Sequence, residues 1–308
     1  MTEQLTTQMK REIQQKLIGK DETVELLWIS LLAEGHVLLD DLPGTGKSEL
    51  ASAFAAAIGA TSGRIQGTSD VTPADITGFD YFNKQTGAFT FRPGPVFHHV
   101  LLADEINRAS PRAQAGLLEA MAEKQVTVEG TTHALTDPFF VIATQNPVDV
   151  QQGTFKLPQA QLDRFMMKLP MKTLRFDEKR AMLEQHRGPV RPVTAVTSME
   201  EIRTLRDKVR HVEVHEDVET YLLQLIEATG TVEETLFEAS PRAAVALLRA
   251  AQARALIQDR RYVKPEDIVM LAEPVLAHRL ILNSRAVLTT DPKDVVQHAL
   301  DSLSVPAD

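Results

Sequence analysis

Through the first half of the chain, short unbroken apolar runs alternate with stretches whose apolar residues recur at helical spacing. Val37-Leu38-Leu39, Val100-Leu101-Leu102 and residues 139–143 (FFVIA) are runs of the first kind. Each is too short for a helix and has no polar face, which predicts strands buried on both sides of a parallel sheet. Leu50, Phe54 and Ile58 recur at helical spacing after the first run, and Leu117, Leu118 and Met121 do so after the second. Ser110-Pro111 predicts the N-cap and first-turn proline of the latter helix. Two stretches break the rhythm. Residues 81–91 and 125–135 each read as a β-hairpin, the first around a five-residue loop at 83–87 and the second around Glu129-Gly130.

Beyond Gly188-Pro189 the texture changes. Ser198 and Glu201 have the spacing of a capping box, Ser240-Pro241 opens a long Ala/Leu/Arg helix, and Pro265-Glu266-Asp267 opens another. The expected layout is an α/β domain over residues 1–188, carrying the two hairpins, followed by an all-helical domain over 189–308.

Composition narrows the chemistry. The 308 residues contain no cysteine, which excludes disulfides, cysteine-ligated metals and cysteine nucleophiles. The formal net charge of −9 argues against a surface that grips nucleic acid throughout, though it allows a local basic channel. One Trp and three Tyr argue against aromatic cages or stacking platforms. The N-terminus lacks a signal-peptide core and no apolar run reaches membrane-spanning length, so a soluble cytoplasmic protein is the simplest reading. The nine histidines show no metal-ligand spacing, and His98-His99 reads as structural.

Three strand ends carry candidate chemistry. Pro43-Gly44-Thr45-Gly46-Lys47-Ser48 lies between the first strand and the helix that starts near Glu49. Glycines there let backbone N–H groups turn inward onto phosphate oxygens at a helix N-terminus. Lys47 would reach the β- and γ-phosphates and Ser48 would offer its hydroxyl to Mg²⁺. The general loop pattern asks for glycine where this chain has Asp41. Asp104-Glu105 ends the second strand: Asp104 would hold Mg²⁺ through water and Glu105 would polarise the attacking water. The alternative is a solvated acidic turn. Asn146, before Pro147 at the third strand end, could bond both γ-phosphate and water, or simply be a turn residue. Together these residues imply binding and hydrolysis of a nucleoside triphosphate, expected to be ATP, with Mg²⁺.

Longer motifs make the reading more specific. Asp104-Glu105-Ile106-Asn107-Arg108-Ala109-Ser110-Pro111, Phe91-Arg92-Pro93-Gly94-Pro95, Ala143-Thr144-Gln145-Asn146-Pro147, residues 157–165 (LPQAQLDRF), Ala239-Ser240-Pro241-Arg242-Ala243 and Val263-Lys264-Pro265-Glu266-Asp267 occur in order. With them the chain resembles the MoxR branch of the AAA+ ATPases from about residue 18 to about residue 279. The resemblance implies an αβα P-loop core with a helical lid. It makes the hairpins the helix-two insert and the pre-sensor hairpin, and seats adenine near Ile18 and Gly19. It makes Asn146 the first sensor, Arg164 the arginine finger and Arg242 the second sensor. An acidic residue at the Asp41 position is common in this branch.

Each arginine also has a plainer explanation. Arg164 could form a surface ion pair with Asp163 or Glu119, and Arg242, at a helix start where a cation opposes the dipole, could be solvated. Arg108 and Arg112 could face a ring interface or solvent. The resemblance further implies a homo-oligomer, usually a hexameric ring, and a client protein that often contains a von Willebrand factor A domain. A nucleic-acid-stimulated motor and a nucleotide-gated scaffold are the competing readings. Hairpins carrying little positive charge beyond Lys84 speak against the first, and intact Glu105, Asn146 and Arg164 speak against the second.

Overall fold

The computed structural model describes residues 2–40, 45–146, 154–185, 187–188 and 191–306. Helices α1 (Thr2–Gln14) and α2 (Asp21–Leu32) precede strand β1 (Val37–Asp40), which leads to α3 (Lys47–Ala57) and β2 (Ser62–Gln66). A short α4 (Pro73–Thr77) enters the hairpin β3 (Gly78–Asn83) and β4 (Ala88–Pro93). Then come β5 (Val100–Asp104), α5 (Pro111–Glu123), the hairpin β6 (Gln125–Val128) and β7 (Thr131–Ala134), β8 (Phe140–Gln145), α6 (Gln159–Leu162) and β9 (Met167–Pro170). The rest is α7 (Phe176–Gln185), α8 (Met199–Val209), α9 (Glu216–Thr231), β10 (Thr235–Phe237), α10 (Pro241–Ile257), α11 (Pro265–Leu276), β11 (Ile281–Leu282) and α12 (Pro292–Asp301).

The central sheet has the order β2-β5-β8-β1-β9 with every pair parallel. Its alternating residues serve two cores. Val37, Leu39, Leu102, Phe140 and Ile142 face α2 and α3, while Leu38, Leu101, Ala103, Val141 and Ala143 face α5. Burial on both faces accounts for the unbroken apolar runs. The first of these cores continues into α8–α12, so the helical segment shares one apolar cluster with α1, α2 and a face of the sheet.

Local expectations hold in most details. Ser110 and Ser240 cap α5 and α10 by accepting from Ala113 N and Ala243 N at 3.3 and 3.2 Å. Ser198 forms only half of the expected capping box: it accepts from Glu201 N at 3.2 Å, but the Glu201 carboxylate instead accepts from Thr197 Oγ1 at 2.8 Å. The first hairpin is longer than expected, pairing Gly78 with Pro93 through Asn83 with Ala88, so its loop is the four residues 84–87. The second turns on Glu129 (φ 47°) and Gly130 (φ 83°), the left-handed pair that suits a two-residue hairpin. The lid is not purely helical, because β10 and β11 pair antiparallel within it. Among the described residues no helix is long and apolar enough to cross a membrane.

Buried His36 anchors the floor of the sheet. Val141 N–H donates to its Nδ1 at 3.0 Å, and its Nε2 lies 3.3 Å from the Met121 carbonyl, so the ring is neutral and protonated on Nε2. Burial lowers its pKa to about 4, and that of buried His278 to about 3. Both sit below the ordinary value of 6.5, so the unfolded chain takes up these protons first. Stability is therefore expected to be level above pH 7 and to fall as pH drops from 6.5 toward 4, by up to about 1.4 kcal/mol per pH unit for each histidine. Denaturant titrations from pH 8 to 4.5 test this; a flat profile below pH 6.5 contradicts it.

Candidate active site

Because all five strands are parallel, their C-terminal ends lie along one rim, Asp40 of β1, Asp104 of β5 and Gln145 of β8 among them. The adjacency β5-β8-β1 brings together three segments that are far apart in sequence. Thr45 and Gly46 lead into α3, which begins at Lys47; Gly46 adopts φ 84°, a left-handed conformation suited to a residue without Cβ. Ser48, in the first turn of α3, donates through Oγ to Asp104 Oδ2 at 2.8 Å. Asp41, Pro43 and Gly44, and Pro147 after Asn146, lie outside the described residues.

Asp104 is buried at the end of β5 and its two oxygens have different partners. Oδ2 accepts from Ser48 and from Arg64 of β2, whose Nε and Nη2 lie at 3.1 and 2.9 Å. Oδ1 accepts from Thr144 Oγ1 of β8 at 3.2 Å. Thr144 Oγ1 also accepts from Glu105 N–H at 2.8 Å, linking the ends of β5 and β8 through one hydroxyl.

Glu105 leaves the strand at φ 51°, in left-handed space. A non-glycine residue there stores of order 1 kcal/mol, a cost met at functional positions when surrounding bonds over-determine the turn. Here Thr144 holds its N–H, and Gln114 Nε2 donates to the Ile106 and Ala109 carbonyls at 3.2 and 3.1 Å, pinning the turn that follows. The kink takes the Glu105 side chain out of the sheet, where Arg108 Nη1 pairs with its Oε2 at 3.0 Å. Gly67 permits the kink, since a Cβ there would fall 2.1 Å from the Glu105 carbonyl oxygen. Asn146, at the end of β8, is buried, and its carbonyl accepts from Asn107 Nδ2 at 3.3 Å.

The oxygen donors fit a hard divalent cation. One hydroxyl and one carboxylate brought together suit Mg²⁺, which is bound through few protein ligands with waters and phosphate oxygens completing its shell. His98 and His99 bond to the Pro95 carbonyl at 3.1 Å and to Thr61 Oγ1 at 2.8 Å, contacts in keeping with a structural role.

Comparison with known proteins agrees with this geometry. Residues 36–167 match the ATPase family associated with various cellular activities (AAA), and residues 227–299 match the AAA lid domain. The chain is 41 % identical to the uncharacterised protein YeaC of Bacillus subtilis, over 96 % of this chain and 92 % of that one. It is 35 % identical to the chaperone MoxR1 of Mycobacterium tuberculosis, over 96 % of this chain and 81 % of that protein. It belongs to the MoxR family of AAA+ ATPases. The crystal structure of an ATPase candidate from Cytophaga hutchinsonii superposes with a TM-score of 0.92 at 33 % identity, covering 99 % of this chain and 96 % of that one.

In this MoxR-family chain, the residues that the resemblance implies fall in two places. The segment with Ile18 and Gly19 follows a leucine that reaches the start of α3. Leu17 approaches Gly46, where a Cβ would meet its Cδ1 at 3.1 Å, and a Cβ on Gly19 would meet Leu174 at 2.8 Å. Glu49 is exposed on α3.

Arg164 and Arg242 lie at the other end of the sheet. Arg164 precedes β9, and two residues later Met166 N–H donates to the carbonyl of His36, the residue before β1, at 2.8 Å. Strands of four to six residues therefore separate it from the rim that holds Ser48, Asp104 and Asn146, a distance of about 13–20 Å. Arg164 is exposed and donates to the Leu118 carbonyl at 2.5 Å, rather than to Asp163 or Glu119. Asp163 is taken by the lid, accepting from Arg242 Nη1 at 3.1 Å and from buried Arg279 Nε at 2.9 Å. Both candidate arginines thus belong to one face, remote from Ser48 and Asp104 of their own chain.

Sequence reasoning missed Thr144, Arg64 and Gly67. Thr144 lies inside the Ala143-Thr144-Gln145-Asn146-Pro147 motif, where a hydroxyl at a strand end is the available signal. Nothing in the local sequence marks Arg64 or Gly67; their roles arise from the pairing of β2 with β5, which sets Gln66 beside Asp104. The hairpin β3–β4 exposes Phe79, Tyr81, Phe82 and Phe89, aromatic surface supplied mostly by phenylalanine, which counts of Trp and Tyr do not register.

Proposed function

We propose that this chain hydrolyses ATP with Mg²⁺ in an oligomer, completing each site from two subunits, and that hydrolysis drives remodelling of a client protein. The observation that carries this is the 2.8 Å bond between Ser48 of the phosphate loop and Asp104 of the acidic strand end. It supports a single site shared by the two motifs. Backbone N–H groups at the start of α3 and the Lys47 ammonium would bind the β- and γ-phosphates. Ser48 and Asp104 would hold Mg²⁺, which when bound supplies charge neutralisation at the phosphates. Glu105, once released from Arg108, takes a proton from the attacking water as its oxygen bonds to the γ-phosphorus. The bond to the β-phosphate oxygen then breaks, leaving ADP and phosphate. Asn146 orients that water.

Arg164 and Arg242 cannot span the sheet to this rim, so as finger and second sensor they would serve a neighbouring subunit. A head-to-tail contact of this kind closes into a ring, and six subunits is the expected number. The division at residue 189 into core and lid remains our proposal, supported by the lid-domain match downstream of it.

A chaperone role in the cytoplasm is the reading we favour. The relative from Mycobacterium tuberculosis carries the name chaperone. The exposed aromatic residues of the β3–β4 hairpin, with Lys84 at its loop, suit a protein segment better than a phosphate backbone. A client with a von Willebrand factor A domain fits the family. ATP turnover per subunit is expected to fall on dilution through the assembly range and to be unmoved by DNA or RNA. Measuring turnover against protein concentration, with each nucleic acid added, decides this. Strong nucleic-acid stimulation with steep salt dependence would favour a motor instead, and binding without turnover at any concentration would favour a scaffold.

A further inference from the structure

Arg64 plays no part in the phosphate or water chemistry above, yet it sits on the carboxylate that chemistry needs. Its Nε and Nη2 lie 3.1 and 2.9 Å from Asp104 Oδ2, the oxygen that also accepts from Ser48. The other oxygen is committed to Thr144. A divalent ion held between Ser48 and Asp104 therefore draws on the oxygen that the guanidinium already occupies. The Asp104 side chain is 8 % exposed whereas that of Arg64 is 60 % exposed, so the carboxylate is fixed and the arginine is the mobile partner. A second acceptor waits for it: Arg64 Nη2 also donates to Gln66 Oε1 at 3.0 Å, two residues along the same strand and on the same face.

From this geometry we propose that Arg64 is a resident counter-ion of the metal carboxylate, competing with the divalent cation for Asp104 and thereby setting the Mg²⁺ concentration at which the site loads. The inference rests on the Ser48–Asp104 pair being the metal site. The guanidinium neutralises the Asp104 carboxylate on which the cation would draw and adds a repulsive charge beside it. Loading then requires Arg64 to shift onto Gln66 or into solvent. Lysine at this position keeps the charge; glutamine removes it while retaining a polar side chain.

The test is Mn²⁺ binding at saturating ADP, read from the free Mn²⁺ paramagnetic resonance signal, so that turnover is not involved. Arg64→Gln is expected to bind Mn²⁺ about three- to tenfold more tightly than the unmodified chain, a range reduced from the bare Coulomb value by solvent exposure of the arginine. Arg64→Lys is expected to stay close to the unmodified chain. Thermal melts check that both variants fold. Unchanged or weaker Mn²⁺ binding by folded Arg64→Gln overturns the proposal; weaker binding would mean that the guanidinium braces Asp104 for the metal. Asp104→Asn separates the two layers: if it too leaves Mn²⁺ affinity unchanged, the metal-site reading has failed and Arg64 with it.

Discussion

Glu105→Gln is expected to bind ATP as tightly as the unmodified chain and to turn it over about 10²–10⁴-fold more slowly, the span associated with a positioned general base. The amide keeps the size of the side chain and can still bond to solvent, but it cannot take a proton from water. The left-handed turn at Glu105 is set by the Thr144 bond to its N–H and by the open space over Gly67, neither of which involves the side chain. The substitution should therefore leave the backbone in place and isolate the chemistry. The ion pair with Arg108 is exposed, so losing it has little effect on stability. Fluorescent-nucleotide titration beside a steady-state phosphate assay provides both readings. Turnover within a few-fold of the unmodified chain would remove Glu105 from the role of base.

Arg164→Ala should be comparably severe, about 10³-fold or more in turnover, because a guanidinium delivered to the γ-phosphate in the transition state is worth ~10³–10⁵ in rate. The geometry adds a sharper expectation. Arg164 lies at the opposite end of the sheet from Ser48 and Asp104, so its loss cannot disturb the phosphate loop of its own chain. Nucleotide binding should be retained. Mixed with Lys47→Ala, which has an intact Arg164 and a disabled loop, the variant should regain part of its turnover, since some interfaces would join a good loop to a good finger. Each variant alone should stay inactive. Absence of recovery in mixtures that still co-assemble would rule out a shared site. The hydrogen bond to the Leu118 carbonyl is one net bond of about 1 kcal/mol, so the variant should fold.

The meeting of Ser48 with Asp104 at the candidate nucleotide rim was largely legible in the sequence because the motifs that carry them are short and local. In sequence, an apolar run followed by Pro-Gly-Thr-Gly-Lys-Ser and another followed by Asp-Glu carry their chemistry within a few residues, and the parallel sheet sets Ser48 and Asp104 at the same end. The hairpins were legible for the same reason, apart from the outer rungs of β3–β4 and the true loop length. What local reading could not reach was anything set by the order of strands. Arg64 matters because β2 lies beside β5, Thr144 because β8 lies beside β5, and Gly67 because the turn that follows the neighbouring β5 passes over it. The capping box at Ser198 failed for a neighbouring reason: a threonine one residue earlier competes for the glutamate.

The apolar runs and glycine-rich turn of this chain determined that it would build a parallel sheet with a helix start at one strand end suited to phosphate, because burial on two faces and backbone freedom at a helix start are properties of adjacent residues. Where the arginines would stand relative to that rim was decided only by tertiary structure. Arg164 is placed by the direction in which β9 runs, and Arg242 by an ion pair to Asp163 across 79 residues of chain. The strand order and the lid contacts that set these positions come from long-range packing, to which sequence spacing is blind.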